Sequence, residues 1–269
     1  MVSTGQSSEV ACLQATTRQL RSSIPYLRRF SRALTGRQAI ADADVIRVLD
    51  EALNDPSLLN LCTSPRASLF RQLLRALGSH ASGTGRADGT PFVSPVQRQA
   101  HLLIKVEGFT PSEAAEIIGV DRNALPSLLE LAARDAASLA GAGVLIIEDD
   151  PLISMQLEHI VDQLGHRILG VASTRQQVAK RMRAANVDLV LSDVQLGDGS
   201  SGIDAVSDLS RCSNASSIFI TAYPERLLTG ARPEPTFLIS KPFDPEAVSA
   251  AISQALYLRL FAADTAEAA

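Results

Sequence analysis

The sequence predicts two domains, an all-α domain followed by a doubly wound α/β domain built on a five-stranded parallel sheet. Three observations carry that expectation. The chain has 269 residues, more than one hydrophobic core usually serves. Its first half shows the 3.6-residue apolar period of helices. After Gly143 the rhythm changes to short apolar runs alternating with amphipathic segments, the pattern of strands joined by crossover helices.

In SIPYLRRFSRAL, Ile24, Leu27, Phe30 and Leu34 share one helix face, and Arg28, Arg29 and Arg32 fall on the opposite face, as a solvated or partner-facing surface would. The period repeats in Val45, Val48, Leu49, Ala52 and Leu53. Residues 78–90 contain four Gly and no large apolar side chain, so residues 80–92 are read as a linker. Helical periodicity resumes at Pro95, passes a break at Thr110-Pro111, and ends near Ser138, with ASLAGAG as the joint to the second domain. The strand candidates are VLII, RILGVA, VDLVLSD, SIFITA and TFLISK. The expected domains are therefore 1–140 and 141–260, with 261–269 a disordered tail.

Charge separates the same two parts. Residues 1–143 hold 15 Lys and Arg against 13 Asp and Glu, whereas residues 144–269 hold 10 against 16. Cys12, Cys62 and Cys212 form no CxxC pair and do not cluster with His80, His101, His159 or His166, which argues against disulfides and a zinc site. No basic start followed by an apolar stretch opens the chain, and no apolar run approaches the roughly 18 residues of a membrane helix. The expected location is the cytoplasm, without a membrane anchor.

The polar residues at the strand ends carry the chemistry. VLIIEDDP drives an apolar run straight into Glu148, Asp149 and Asp150. The third strand ends at Asp193, the fourth at Thr221 and the fifth at Lys241, and in a parallel sheet these ends converge on one edge, where ligands gather. Carboxylates brought together repel, and a hard cation relieves them; Mg²⁺ suits oxygen ligands. Asp193 could then act as a carboxylate nucleophile toward a phosphoryl group, with Thr221 donating a hydrogen bond and Lys241 pairing with a phosphoryl oxygen. Lys241-Pro242 is a candidate cis bond.

With Glu148, Asp149, Asp193, Thr221 and Lys241 in that order, residues 144–257 resemble a response-regulator receiver domain of flavodoxin-like fold. The resemblance implies Asp193 as phosphoacceptor and Glu148, Asp149, Asp193 and the backbone carbonyl of Gln195 as ligands of Mg²⁺. It implies Thr221 and Lys241 as the residues that sense the phosphoryl group, and a histidine kinase or phosphotransfer protein as its donor. Two departures stand out: the loop DVQLGDGSSG is a residue longer than usual and lacks its Pro, and Leu238 occupies the place of an aromatic switch residue.

The first half resembles the two parts of a small extracytoplasmic-function sigma factor, residues 15–79 matching its region 2 and 93–138 its region 4. RQAHLLIKVEGFTPSEAAEIIGVD carries the helix-turn-helix likeness. Its second helix, DRNALPSLLELAARD, holds Pro126, so the helix is expected to begin there and to lose the turn that would read bases. Arg122 and Arg134 are offset by Asp121, Glu130 and Asp135, leaving little for phosphate contacts.

A sigma-like half ahead of a receiver, together with TAYPERLLTG before PTFLISKPF, resembles the PhyR-type general stress response regulators. That resemblance implies a phosphorylation-activated anti-anti-sigma factor, which captures a NepR-type anti-sigma protein through its sigma-like half, binds no DNA directly and is not an enzyme. Two rivals remain on sequence grounds. One is a response regulator that binds promoters. The other is a phosphatase of the haloacid dehalogenase type, disfavoured because Asp193-Val194-Gln195 replaces a DxD.

Overall fold

The computed structural model describes residues 4–82, 95–181, 186–211, 213–224, 227 and 235–267. Six helices come first: α1 (Thr4–Thr35), α2 (Gln38–Asn54), α3 (Pro65–Ser82), α4 (Val96–Lys105), α5 (Pro111–Ile118) and α6 (Leu125–Ala137). The α/β part follows as β1 (Gly143–Ile147), α7 (Pro151–Gln163), β2 (Arg167–Ala172), α8 (Arg175–Arg181), β3 (Leu189–Asp193), α9 (Gly202–Ser210), β4 (Ser216–Thr221), β5 (Phe237–Ser240) and α10 (Pro245–Glu267). The five strands are all parallel, in the order β2-β1-β3-β4-β5.

Local chemistry explains the punctuation. Thr110 and Glu113 cap α5 reciprocally, with Pro111 in its first turn, so the break read at Thr110-Pro111 is a helix start. Asp150 accepts from the backbone N–H groups of Leu152 and Ile153 and caps α7. The third acid of EDDP is thus a structural residue. α6 begins at Leu125 with Pro126 in its first turn, one residue before the expected start, and a short 3₁₀ turn at Arg122–Ala124 precedes it.

Four expectations change. α3 runs to Ser82, so the first residues of the expected linker are helical, and 83–92 lie outside the described residues. α10 continues to Glu267 through most of the expected tail, where Ala262, Ala263 and Ala266 favour helix. Leu53, placed by periodicity on the apolar face of α2, is exposed. The arginine face of α1 is not solvated: Arg32 is buried on Asp42 at 2.8 Å, Arg28 reaches the same carboxylate at 3.0 Å, and Arg29 pairs with Glu107 at 2.9 Å. Periodicity marked these arginines as polar but could not reveal that carboxylates from elsewhere meet them.

Each face of the sheet has its own packing. Leu145, Ile147 and Val190 meet α8 and α9 through Val178, Ala205 and Leu209. Val144, Ile146, Leu191 and Ile220 meet α7 and α10 through Leu157, Ile160, Val248 and Ile252. This second cluster is continuous with the helical domain's core of Leu27, Phe30, Phe70 and Leu73. Burying that much apolar surface in common holds the domains together more strongly than their net charges do. Polar contacts align them: Gln254 Nε2 donates to the Ala33 carbonyl at 2.8 Å, Arg98 Nη1 to the Ser253 carbonyl at 3.3 Å, and Lys105 pairs with Glu246. The helical half therefore sits on β5 and α10 of the receiver-like half, a placement the sequence left open.

Candidate functional site

The strand ends bring the predicted residues together. Glu148 and Asp149 follow β1, Asp193 closes β3, Thr221 closes β4, and Lys241 follows β5. One oxygen from each of Glu148, Asp149 and Asp193 lies within 4.8 Å of the others. Glu148 is buried, Asp149 is exposed, and Asp193 lies between these extremes.

Lys241 bridges two members of this group. Its Nζ donates to Glu148 Oε2 and to Asp193 Oδ2, each at 2.7 Å. Asp193 Oδ1 in turn accepts from the backbone N–H groups of Val194 and Gln195. Both carboxylate oxygens of Asp193 are thus held, one by the loop and one by Lys241. Burial pushes the Glu148 carboxyl above its ordinary value and Asp193 adds to the shift, while Lys241 opposes it. For Lys241 burial pulls the other way, but hydrogen bonds to Asp193 and Glu148 outweigh it and hold the ammonium above its usual range. The Lys therefore stays charged and neutralises part of the acidic cluster.

Thr221 is buried at the same edge. Its hydroxyl accepts from the Tyr223 N–H at 3.1 Å, and its carbonyl accepts from the Lys241 N–H at 2.7 Å. The Lys241-Pro242 bond is cis, as expected. Much of TAYPERLLTG lies outside the described residues.

The loop after Asp193 adds two residues that the motif did not single out. A Cβ on Gly202 would fall 1.7 Å from the Asp193 carbonyl oxygen, so this position admits no side chain without moving the backbone of Asp193. A Cβ on Gly197 would fall 2.6 Å from Asp149 Oδ2, showing how closely the loop backbone approaches that carboxylate. The Gly-Ser composition of GDGSSG was the available signal. Gln195, whose side chain is exposed, bridges to Ser201 across this loop.

Leu238 is buried within the α8–α9 side of the sheet, and its carbonyl accepts from Arg29 Nη1 of α1 at 3.4 Å. The position where an aromatic switch is common is thus an aliphatic core residue whose backbone touches the helical half.

Comparison with known proteins finds matches along most of the chain. Residues 20–74 match the family described as the sigma2 domain of PhyR, residues 92–138 the sigma-like domain of response regulator PhyR, and residues 144–253 the response regulator receiver domain. The chain is 45% identical over 247 residues to the phyllosphere-induced regulator PhyR of Methylorubrum extorquens, an alignment covering 88% of this chain and 92% of that protein. The chain belongs to the PhyR family of response regulators. The crystal structure of PhyR from Brucella abortus superposes with a TM-score of 0.82 at 41% identity, covering 92% of this chain and 96% of that one. That of the anti-anti-sigma factor PhyR from Bartonella quintana gives 0.84 at 41% identity, covering 93% and 99%. The Bartonella protein is also known in a co-crystal with the anti-sigma factor NepR. As a PhyR-family chain it is a receiver-domain regulator and not a metabolic enzyme. Receiver domains typically bind a divalent cation in an acidic pocket, and Glu148, Asp149 and Asp193 form an acidic cluster here. Among the described residues no helix is long and apolar enough to cross a membrane.

Proposed function

We propose that the protein is a phosphorylation-gated anti-anti-sigma factor whose sigma-like half, released from the receiver, captures a NepR-type anti-sigma protein. One observation carries this reading. Lys241, bonded to Asp193, directly follows β5, and three residues earlier on the same segment the Leu238 carbonyl is held by Arg29 of the sigma-like half. The phosphoryl site and the interdomain contact share one segment, β5 and the residue after it.

Asp193 is the phosphoacceptor in this reading. A carboxylate oxygen attacks the phosphorus of a phosphohistidine or a small acyl phosphate, the bond from phosphorus to the leaving nitrogen or oxygen breaks, and an aspartyl phosphate forms. Three hard carboxylate oxygens within 4.8 Å suit Mg²⁺, with Glu148, Asp149, Asp193 and the Gln195 carbonyl as its ligands. When bound, Mg²⁺ supplies charge neutralisation for the phosphoryl oxygens. The phosphorylated side chain carries about one to two negative charges and more acceptors than the carboxylate it replaces. Lys241 and Thr221 are the groups placed to turn toward it, and their movement draws on β5. Opening follows only if the interdomain contact differs in energy between the two forms, as that shared segment provides.

Capture of an anti-sigma protein is supported by the Bartonella relative, named an anti-anti-sigma factor. Direct promoter binding is not favoured: the first turn of α6 offers Leu125 and Pro126 in place of basic residues, and Arg134 faces Glu130 at 3.9 Å. Calorimetric titration with the NepR-type protein tests the reading. Phosphorylation is expected to tighten binding by about 5- to 150-fold, the usual range of such couplings. Equal affinity in both states contradicts gating, and a salt-dependent gel shift on promoter DNA would favour the transcription-factor alternative.

A further inference from the structure

The contact between α4 and α10 contains a titratable group that the phosphorylation reading leaves unused. We propose that His101 makes this contact acid-sensitive, so that protonation of its imidazole favours separation of the sigma-like half from the receiver without any phosphoryl group. Arg98, His101 and Lys105 are spaced three and four residues apart and share one face of α4. That face lies against α10. Lys105 pairs with Glu246 near the start of α10, while Arg98 places its guanidinium 3.8 Å from the Tyr257 ring centroid and donates to the Ser253 carbonyl. His101 sits between these two anchors and is partly buried.

Among the described residues, the charged groups around His101 come from three helices. From α4 come the cations Arg98 and Lys105; from α10 comes Glu246, already engaged by Lys105, and beyond it Tyr257. From α6 comes Asp135, which faces Arg98 at 3.6 Å. A proton on His101 would put a third cation in a row of two, at a partly buried position. Burial, then Lys105 and Arg98, hold the imidazole below its ordinary value of 6.5, with Glu246 opposing. Tyr257, raised chiefly by burial, stays neutral.

The direction follows from linkage. In the separated form Arg98 and Lys105 stay beside His101 on α4 and Glu246 departs with α10, but the imidazole regains water, and burial is the largest of these effects, so the separated form binds the proton more tightly. The closed form keeps its full advantage above about pH 6.5 and loses it progressively as pH falls toward the lowered value of the closed form. Each unit of depression shifts the open-to-closed ratio by up to about tenfold.

The inference borrows from the proposed function only its consequence, release of the sigma-like half; the contact itself is read without phosphoryl donor or partner. The test is hydrogen exchange on the full unphosphorylated chain, following the peptides of α4 and of residues 245–257 between about pH 7.5 and about pH 5.5, with rates corrected for intrinsic exchange. Wild-type protection is expected to fall by several-fold, up to about tenfold per unit of depression. The H101Q variant keeps Glu246, Asp135 and Tyr257 and is expected to hold its protection across the range. The H101R variant is expected to be poorly protected throughout. Invariant protection in the wild type, or a fall in H101Q parallel to the wild type, overturns the proposal and leaves gating through Asp193 untouched. Failure of phosphorylation to tighten partner binding, with the acid response intact, would strike the other reading alone.

Discussion

The Asp193→Asn variant is expected to incorporate no phosphoryl group from acetyl phosphate and to bind the anti-sigma partner only at the unphosphorylated level. A carboxamide is nearly the same size but is not a nucleophile toward phosphorus, so the loss is set by chemistry and not by folding. The surroundings support a clean result. Asp193 is held by the Val194 and Gln195 amides on one oxygen and by Lys241 on the other, and an amide oxygen can still accept from the backbone. Removing one negative charge also relieves Glu148, whose carboxyl Asp193 helps to push upward, and leaves Lys241 to Glu148. Intact-mass measurement after incubation with acetyl phosphate and Mg²⁺ checks the first half, and the partner titration checks the second. A phosphorylated D193N chain would move the acceptor to another residue.

Arg29→Ala is expected to destabilise the protein by about 3 kcal/mol and to loosen the interdomain contact, because it strips one partner from a buried ion pair. Arg29 Nε and Nη2 meet both oxygens of Glu107 at 3.0 and 2.9 Å, a two-pronged contact that a single-point cation cannot reproduce. The Glu107 side chain is only 1% exposed, and its remaining ion-pair partner, Arg66, is at 3.5 Å and one-third exposed. Burial alone would lower the Arg29 guanidinium, yet the Glu107 pairing outweighs it and the group is raised. The same side chain donates to the carbonyls of Val106 and Leu238, so its loss also frees α1 from β5. Arg29→Lys should recover part of the stability. Urea unfolding measures the loss; an R29A chain as stable as the wild type would show that this cluster is not what joins α1, the end of α4 and β5.

The two changes act on opposite ends of one path, and the sequence disclosed those ends unequally. Glu148, Asp149, Asp193, Thr221 and Lys241 were legible because parallel strands deliver their last residues to one edge, so that order along the chain becomes position in space. The helix start at Pro126 was legible to within a residue for a similar reason: proline acts on its own backbone. Arg29 and Glu107 were not, since 78 residues separate them and no local rule joins a charge on one helix to a carboxylate beyond another. The same applies to Arg32, read as half of a polar face and found buried on Asp42. Lys241 was read as a partner for a phosphoryl oxygen, whereas its bonds to Glu148 and Asp193 depend on side-chain reach that strand order does not encode. The close approach of Gly197 and Gly202 to the site likewise depends on how the loop folds back, for which its glycine content was only a hint.

Spin labels on α6 at position 130 and on α7 at position 156, both exposed in place of Glu130 and Gln156, report directly on whether the sigma-like half leaves the receiver. With the native cysteines replaced by serine, pulsed dipolar spectroscopy before and after acetyl phosphate and Mg²⁺, the aspartyl phosphate verified by mass, gives the distance distribution in each state. The account predicts one narrow distribution before phosphorylation and a longer, broader one after it. An unchanged distribution in a fully phosphorylated sample would contradict it.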